Sequence, residues 1–151
     1  MHMQSTWKDM SMTATTDSVT AFCEATRSND IDRVMTTLAP DAELISPLSG
    51  RMVFRGHDDL RTLLTAVYGG LRELTWHEVI GEGPTRVAVS EGRLAGGLTI
   101  TDALVFELDG NGQIRRLRPH LRPWLAITAF ALTVGPKIAR RPAALRRALR
   151  R

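Results

Sequence analysis

Two acidic residues and one arginine on neighbouring strand-like runs are the side chains best suited to acid–base chemistry. Glu91 and Arg93 lie on one run, Asp102 lies on the next, and Gly96-Gly97 separates the two. A two-residue hairpin turn at these glycines sets Glu91 directly opposite Asp102. Either carboxylate could then act as a general base, while Arg93 orients a substrate or water and balances the charge.

The same register defines the whole face on which these charges lie. That face carries Val87, Val89, Glu91, Arg93, Ile100, Asp102, Leu104 and Phe106. A slip of one residue in the pairing would turn such side chains to the opposite face. Two interpretations remain open, a catalytic acid–arginine–acid cluster in an apolar setting or a salt bridge at the rim of the sheet.

Ser46 is a further candidate because it ends a short apolar run directly before Pro47. A serine without an adjacent base is itself a poor base, but its hydroxyl can donate a hydrogen bond to a substrate or a water. The four histidines lack metal-ligand spacing, Cys23 is the only cysteine, and no phosphate-binding glycine loop is present. The sequence therefore predicts neither a bound metal nor a cofactor.

The elements that must position these residues follow from periodicity and turn signals. Apolar residues recur at helical spacing from Asp17 to Leu38 and are interrupted near Asp30, which predicts two helices with Asp30 as the cap of the second. A strand over 42–45 and a helix over 57–68 follow, and four more strands are predicted at 74–80, 86–94, 98–108 and 113–121. Helices followed by an antiparallel sheet predict an α+β fold.

This order of elements, together with the segments DAELISP, RGHDDL and FELDGNGQI, resembles the SnoaL-like and ketosteroid-isomerase-like branch of the NTF2-like superfamily. The resemblance covers residues 17–121. It implies a cone of N-terminal helices packed on a curved antiparallel sheet around one apolar pocket, and a homodimer formed through the outer face of the sheet. The pocket residues we expect are Phe22, Ser46, Val87, Val89, Leu104, Phe106 and Leu117.

The resemblance does not extend to the catalytic residues of ketosteroid isomerase. Ser46, Phe22 and Leu104 occupy the positions that match its catalytic aspartate, its oxyanion-hole tyrosine and its second oxyanion-hole acid. Ketosteroid isomerase activity is therefore not expected, since Phe22 and Leu104 have no proton to donate to an enolate oxygen. The acid–arginine–acid set is instead similar in its chemistry to the limonene-epoxide-hydrolase type, in which such a set activates a water.

Charge divides the chain sharply. Residues 1–109 hold all 16 acidic residues and 9 of the 20 basic ones, whereas the residues after Asp109 hold eleven basic residues and no acid. The segment 124–134 is almost entirely apolar but too short to span a bilayer, and an amphipathic basic helix is predicted from Pro142. An anionic membrane surface is a candidate partner of this arm; nucleic acid is not expected, because no aromatic residues interleave its arginines. Alternatively, the apolar segment plugs the open end of the cone or seals a dimer.

These patterns predict three parts, a flexible N-terminus over 1–15, the NTF2-like domain over 16–122 and a helical, Arg-rich extension over 123–151. The lone cysteine and the absence of a secretory signal pattern predict a cytoplasmic protein, with the arm as a route to the inner membrane face. Two functions are compatible with these features. One is a hydratase, hydrolase or cyclase acting on a small apolar molecule, and the other is a non-catalytic ligand- or partner-binding module tethered to a membrane surface.

Overall fold

The computed structural model describes residues 17–150, so the segment predicted to be flexible, 1–15, lies outside the described residues. The helices are α1 Ser18–Arg27, α2 Ile31–Thr36, α3 His57–Gly69, α4 Trp124–Ala139 and α5 Pro142–Leu149. The strands are β1 Leu38–Ile45, β2 Val53–Arg55, β3 Arg72–Ile80, β4 Thr85–Arg93, β5 Thr99–Leu108, β6 Ile114–Arg118 and β7 Leu121–Arg122.

The strands form one curved sheet in the order β2-β1-β6-β5-β4-β3, with β7 paired to β5. The β1–β6 pair is parallel and the other pairs are antiparallel. Helices α1, α2 and α3 precede most of the sheet in the chain, and α3 packs against β1 and β2. The predicted α+β cone is confirmed.

Local sequence signals explain where the N-terminal helices begin. The side chain of Asp30 accepts a hydrogen bond of 3.2 Å from the backbone N–H of Arg33 and so caps α2 as predicted. Helix α3 follows Gly56, whose φ of 83° suits glycine, and it carries Asp58 and Asp59 in its first turn.

Phe22 anchors α1 to the inside of the cone. Its ring is fully buried and makes edge-on contacts with Tyr68, Trp76 and Phe106, at ring-centroid distances of 6.1, 6.4 and 5.3 Å. Such pairs each contribute about 0.5–1.5 kcal/mol beyond the area they bury. The indole of Trp76 also donates a 3.1 Å hydrogen bond to the Thr26 hydroxyl, which ties the same helix to β3.

The β4–β5 hairpin has a different register from the predicted one. Ser90, and not Glu91, pairs with Asp102, and Arg93 pairs with Thr99. The cause is a three-residue loop, because the N–H of Leu94 bonds the carbonyl of Leu98 at 2.9 Å and three residues are left between them. The last two of these are glycines with φ of 90° and 86°. The predicted two-residue turn was therefore wrong by one residue. Each side chain of β4 consequently lies on the face of the sheet opposite to the one predicted from its pairing with β5.

The C-terminal extension folds back onto the cone as two helices. Helix α4 continues through Pro136 and buries one side chain at every fourth position, Ala126, Phe130, Val134 and Ile138. It packs against α3 and β7, while α5 packs against β2 and α4. The i, i+4 spacing places the four buried side chains along one stripe of α4, which explains why the apolar segment lies on the protein.

Within residues 17–150, one ion pair fastens α5 to the body of the protein. The guanidinium of Arg147 donates two hydrogen bonds to the carboxylate of Asp59 in α3, at 2.9 and 2.7 Å. The Asp59 side chain is only 7% exposed, so this bidentate contact supplies a partner to a carboxylate that has little access to water.

Replacing Arg147 with alanine is expected to lower the melting temperature by several degrees, because it leaves the buried Asp59 carboxylate unpaired. The control is Arg146→Ala, which removes an exposed arginine on the preceding residue of the same helix that forms no ion pair within residues 17–150. Thermal unfolding followed by circular dichroism measures both. Equal melting temperatures for the two variants would contradict the structural role of the pair.

Candidate functional site

A cavity of about 240 Å³ lies between α1, α3, the inner face of the sheet and the C-terminal helices. Its wall is mostly apolar, and α4 and α5 contribute to it. The apolar lining includes Phe22, Leu44, Phe54, Leu63, Leu104, Leu117, Phe130, Val134, Ile138 and Leu145. The polar side chains in the wall are Ser46, Tyr68, Ser90 and Asp102. Asp102 is the single carboxyl group among these lining residues.

Strand β5 and its partner β7 position the Asp102 carboxyl group. The backbone N–H of His120 donates a 3.1 Å hydrogen bond to Oδ1 of Asp102, just before β7 pairs with β5. The imidazole of His120 takes no part, since its Nδ1 lies 3.2 and 3.1 Å from the carbonyl oxygens of Ala103 and Arg118. Among residues 17–150, no Lys, Arg or His forms an ion pair with Asp102.

Burial raises the pKa of Asp102 from an ordinary 3.8 to about 7, and the hydrogen bond from His120 opposes this rise. The apolar wall disfavours the charged form because it cannot solvate a carboxylate. A carboxyl group with a pKa near neutrality exists in both protonation states under physiological conditions. Asp102 can therefore both accept and donate a proton, which is the property required of a general acid–base group.

Two other ionisable groups near the cavity are held in their neutral forms. Burial, and secondarily the charge of Asp102, raise the pKa of Tyr68 well above its usual value, so its phenol remains a hydrogen-bond donor. Burial likewise raises the pKa of the Cys23 thiol to about 12, which disfavours the thiolate needed for nucleophilic chemistry. Tyr68 is therefore suited to holding a polar atom of a ligand, and Cys23 packs as an apolar residue.

Ser46 shapes the loop after β1. Its Oγ accepts a 3.1 Å hydrogen bond from the N–H of Leu48, and its own N–H donates to the carbonyl of Met52 at 2.9 Å. The residue is buried and contributes to the cavity wall. Because Oγ is already an acceptor within the loop, what it can offer a ligand is its hydroxyl proton.

Glu91 and Arg93 do not join Asp102. The one-residue difference in register places them on the outer face of β4, where both side chains are more than half exposed. Glu91 Oε2 lies 3.7 Å from Nε2 of His77, and Arg93 donates to Glu73 at 3.1 Å. The predicted acid–arginine–acid cluster is therefore not assembled, and the expectation that these three residues converge on the inner face was wrong.

The predicted pocket residues divide in the same way. Phe22, Ser46, Leu104 and Leu117 line the cavity, and Phe106 is fully buried beside Phe22. Val87 and Val89 alternate with the buried Ala88 and Ser90 and so belong to the outer face of the sheet. They were expected in the pocket because that prediction used the same wrong register.

Sequence reasoning missed two polar side chains of the wall, Tyr68 and Ser90. Tyr68 lies four residues after Leu64 on the apolar face of α3, so helical spacing could have identified it. Ser90 pairs with Asp102, and only the correct hairpin register reveals it.

Comparison with known proteins agrees with this architecture. The model of the SnoaL-like domain family matches residues 19–117, about two thirds of the chain. No protein of curated function matches the sequence at a significant level.

Several solved structures share the fold at low sequence identity. An uncharacterised protein with a cystatin-like fold from Silicibacter pomeroyi is 19% identical over 87% of this chain and 93% of its own, with a TM-score of 0.79. A steroid delta-isomerase from Pseudomonas aeruginosa is 19% identical over 87% and 98%, with a TM-score of 0.73. An epoxide hydrolase/cyclase-like enzyme of pyran ring formation in the polyether salinomycin is 14% identical over 70% and 88%, with a TM-score of 0.59. At these identities the likeness establishes the fold alone.

Proposed function

Because the chain belongs to the SnoaL-like domain family of NTF2-like proteins, we propose that it is an enzyme that transfers a proton to or from a small apolar substrate in its central cavity. The group that we assign to this step is the carboxyl group of Asp102. The reaction class is hydration, hydrolysis or cyclisation, in which an oxygen nucleophile loses a proton and another atom of the substrate gains one.

The observation that carries the proposal is the position of one carboxyl group in a mostly apolar wall. An apolar cavity does not need a carboxyl group for packing, and an unpaired carboxylate there costs folding free energy. Natural proteins keep such destabilising groups mainly at functional sites. The raised pKa of Asp102 is the property that proton transfer near neutral pH requires.

The lining residues indicate the class of substrate. Small pockets with apolar walls and few polar groups bind apolar molecules and use the polar groups to orient them. The cavity of about 240 Å³ is slightly smaller than the range of pockets that hold drug-sized ligands. The phenol of Tyr68 and the hydroxyl of Ser46 can each donate a hydrogen bond to an oxygen of the substrate. A small apolar molecule with one or two oxygen functions fits this wall.

A single carboxyl group suffices for the proposed step. As the carboxylate, Asp102 takes the proton from a water or a substrate hydroxyl while that oxygen bonds to carbon. As the carboxylic acid, it then returns the same proton to the oxygen whose bond to carbon breaks in a hydrolysis or cyclisation, or to the neighbouring carbon of the double bond in a hydration. The proton count balances, and the enzyme regains its starting charge.

Isotope incorporation tests the proposal on a mixture of candidate substrates. An extract of apolar metabolites from the host is incubated with the purified protein in water labelled with heavy oxygen, and in parallel in heavy water. Mass spectrometry is expected to show an extract component converted to a new or labelled species by the native chain and not by Asp102→Asn. A component that binds the cavity in native mass spectrometry but is never converted would instead indicate the non-catalytic ligand-binding module.

A further inference from the structure

Helix α4 presents an uncharged apolar face to solvent on the side opposite to its buried stripe. Trp124, Leu125 and Leu132 are 77%, 56% and 73% exposed. Leu125 and Leu132 are seven residues apart, which is close to two helical turns, so they lie on the same side of the helix. No residue from 124 to 136 is charged. This face is thus an uncharged and largely apolar strip on the surface, in which Thr128 is the exposed polar residue between Leu125 and Leu132.

Basic residues lie at and beyond the C-terminal end of α4, on the side of that helix that faces α3. Lys137, Arg140 and Arg141 line a surface groove between α3 and the two C-terminal helices, and the structure shows no ion pair for them within residues 17–150. The groove wall holds five basic residues against the two acids Asp58 and Asp59. Asp59 is already bound by Arg147, and Arg61 is bound to Asp32 at 2.6 Å. A surplus of positive charge therefore remains open to an external anion.

We propose that the α4–α5 unit docks the protein on the surface of an anionic lipid bilayer. The apolar strip would lie at the boundary of headgroups and acyl chains, with Trp124 in the position that tryptophan favours at membrane interfaces. The basic residues would contact anionic headgroups, and no acid after Asp109 opposes them along the chain.

The dimensions of α4 support surface docking over insertion. Its 16 residues give a length of about 24 Å, against a hydrocarbon core of about 30 Å. Within residues 17–150, no helix is long and apolar enough to cross a membrane. The opposite face of α4 is held against the cone by Phe130, Val134 and Ile138, so the helix offers one face to a bilayer and keeps the other on the protein.

A second copy of the chain is the competing occupant of the strip. Charge complementarity argues against it, since the α4–α5 surface of a second copy carries no acid that could pair with Lys137, Arg140 and Arg141. An anionic lipid surface supplies the negative charge that a second copy lacks.

Sedimentation with vesicles tests the proposal on the full chain. We expect the protein to pellet with vesicles of phosphatidylglycerol and phosphatidylcholine, and to remain in solution with vesicles of phosphatidylcholine alone. The triple variant Lys137→Gln, Arg140→Gln, Arg141→Gln is expected to weaken the partitioning about a hundredfold, since each basic residue near an anionic leaflet contributes about fivefold. Salt of about 0.5 M is expected to weaken it by screening.

The chain offers matched controls for both parts of the surface. Arg27, Arg72 and Arg115 are exposed and form no ion pair within the described chain, so changing all three to Gln removes the same charge elsewhere. Leu132→Glu is expected to reduce partitioning more than tenfold, whereas Ile80→Glu, at an exposed apolar residue of β3, is expected to leave it nearly unchanged.

Two outcomes would overturn the proposal. The first is the absence of specific binding. Either the full chain stays in solution with phosphatidylglycerol vesicles, or the control variants lose as much binding as the Lys137, Arg140 and Arg141 triple variant and Leu132→Glu. The second is a lipid-free protein whose mass in light scattering falls from two chains to one on Leu132→Glu, which would identify the strip as a dimer contact. Quenching of Trp124 fluorescence by brominated lipid, measured as the difference between the native chain and Trp124→Phe, would support docking directly.

Discussion

Replacing Asp102 with asparagine is expected to lower turnover of the cavity substrate by about 10²–10⁴-fold while the protein stays folded. Asparagine has nearly the same shape and retains an oxygen for the His120 N–H, but it cannot accept or release a proton at neutral pH. The turnover number of the native chain is also expected to change with pH around the Asp102 pKa of about 7. Activity that rises with pH assigns Asp102 as the base, and activity that falls assigns it as the acid.

Asp41→Asn is the control for this variant, because Asp41 is an exposed carboxylate on β1 outside the cavity wall. It is expected to retain native turnover and the native pH profile. Full activity in Asp102→Asn would remove Asp102 from the mechanism. A profile with no inflection near neutrality would show that proton transfer by this group does not limit the reaction.

Asp102→Asn is also expected to increase the free energy of unfolding at pH 8 and to leave it nearly unchanged at pH 4. The pKa of Asp102 is higher in the folded state, about 7, than its ordinary value of 3.8. Between these values the folded state binds the proton more strongly than the unfolded state, so the free energy of unfolding of the native chain falls as pH rises from about 4 to about 7. A shift of about three pKa units sets an upper limit of roughly 4 kcal/mol on this loss. Asparagine does not titrate, so the Asp102→Asn variant does not lose this free energy of unfolding as pH rises.

Denaturant unfolding at pH 4, 6 and 8 measures this effect. The difference in free energy of unfolding between Asp102→Asn and the native chain is expected to grow across the series, while Asp41→Asn shows no such growth. A difference that is constant with pH would mean that the carboxyl group titrates normally in the folded protein. Such a result would also weaken the assignment of Asp102 as the acid–base group.

The architecture could be predicted from the sequence because periodicity and caps act locally. The apolar spacing of α1 and α3 and the Asp30 cap each depend on a few adjacent residues. Which side chains of β4 point to the inner face of the sheet, in contrast, depended on one loop residue. The pair Gly96-Gly97 is compatible with a two-residue turn, but the structure adds Ala95 to the loop. That single residue separates Glu91 and Arg93 from Asp102, since side chains alternate between faces at every position.

The contribution of the C-terminal helices to the cavity was also beyond local reasoning. The apolar segment predicted a covered helix but not what it covers, since both a plug and a dimer contact satisfy the pattern. In the structure, Phe130 and Val134 face the cavity, and the pair of Arg147 with Asp59 spans 88 positions of sequence. Contacts over such separations leave no periodic signal in the chain.

Removal of the C-terminal helices by a stop after Pro123 is expected to abolish cooperative unfolding. The cut deletes Phe130, Val134 and Ile138 from the wall of the cone and exposes the apolar side chains that they cover. Burial of each large apolar side chain contributes about 1.5–3 kcal/mol, so the three together supply roughly 5–9 kcal/mol. This sum is comparable to the whole stability of a domain, which is about 5–15 kcal/mol.

A chain that ends after Gly135 separates the role of α4 from that of α5. This chain keeps Phe130 and Val134 but loses Ile138 and the Arg147 partner of Asp59, so it is expected to fold with a lower melting temperature than the full chain. Phe130→Ala in the full chain is the matched single-site control and is expected to cost about 3–5 kcal/mol through loss of contacts and an enlarged cavity. Calorimetry of these two variants, of the chain cut after Pro123 and of the full native chain measures these effects. A chain cut after Pro123 that still unfolds in one sharp transition would show that the cone is stable without its C-terminal wall, and that α4 and α5 serve binding alone.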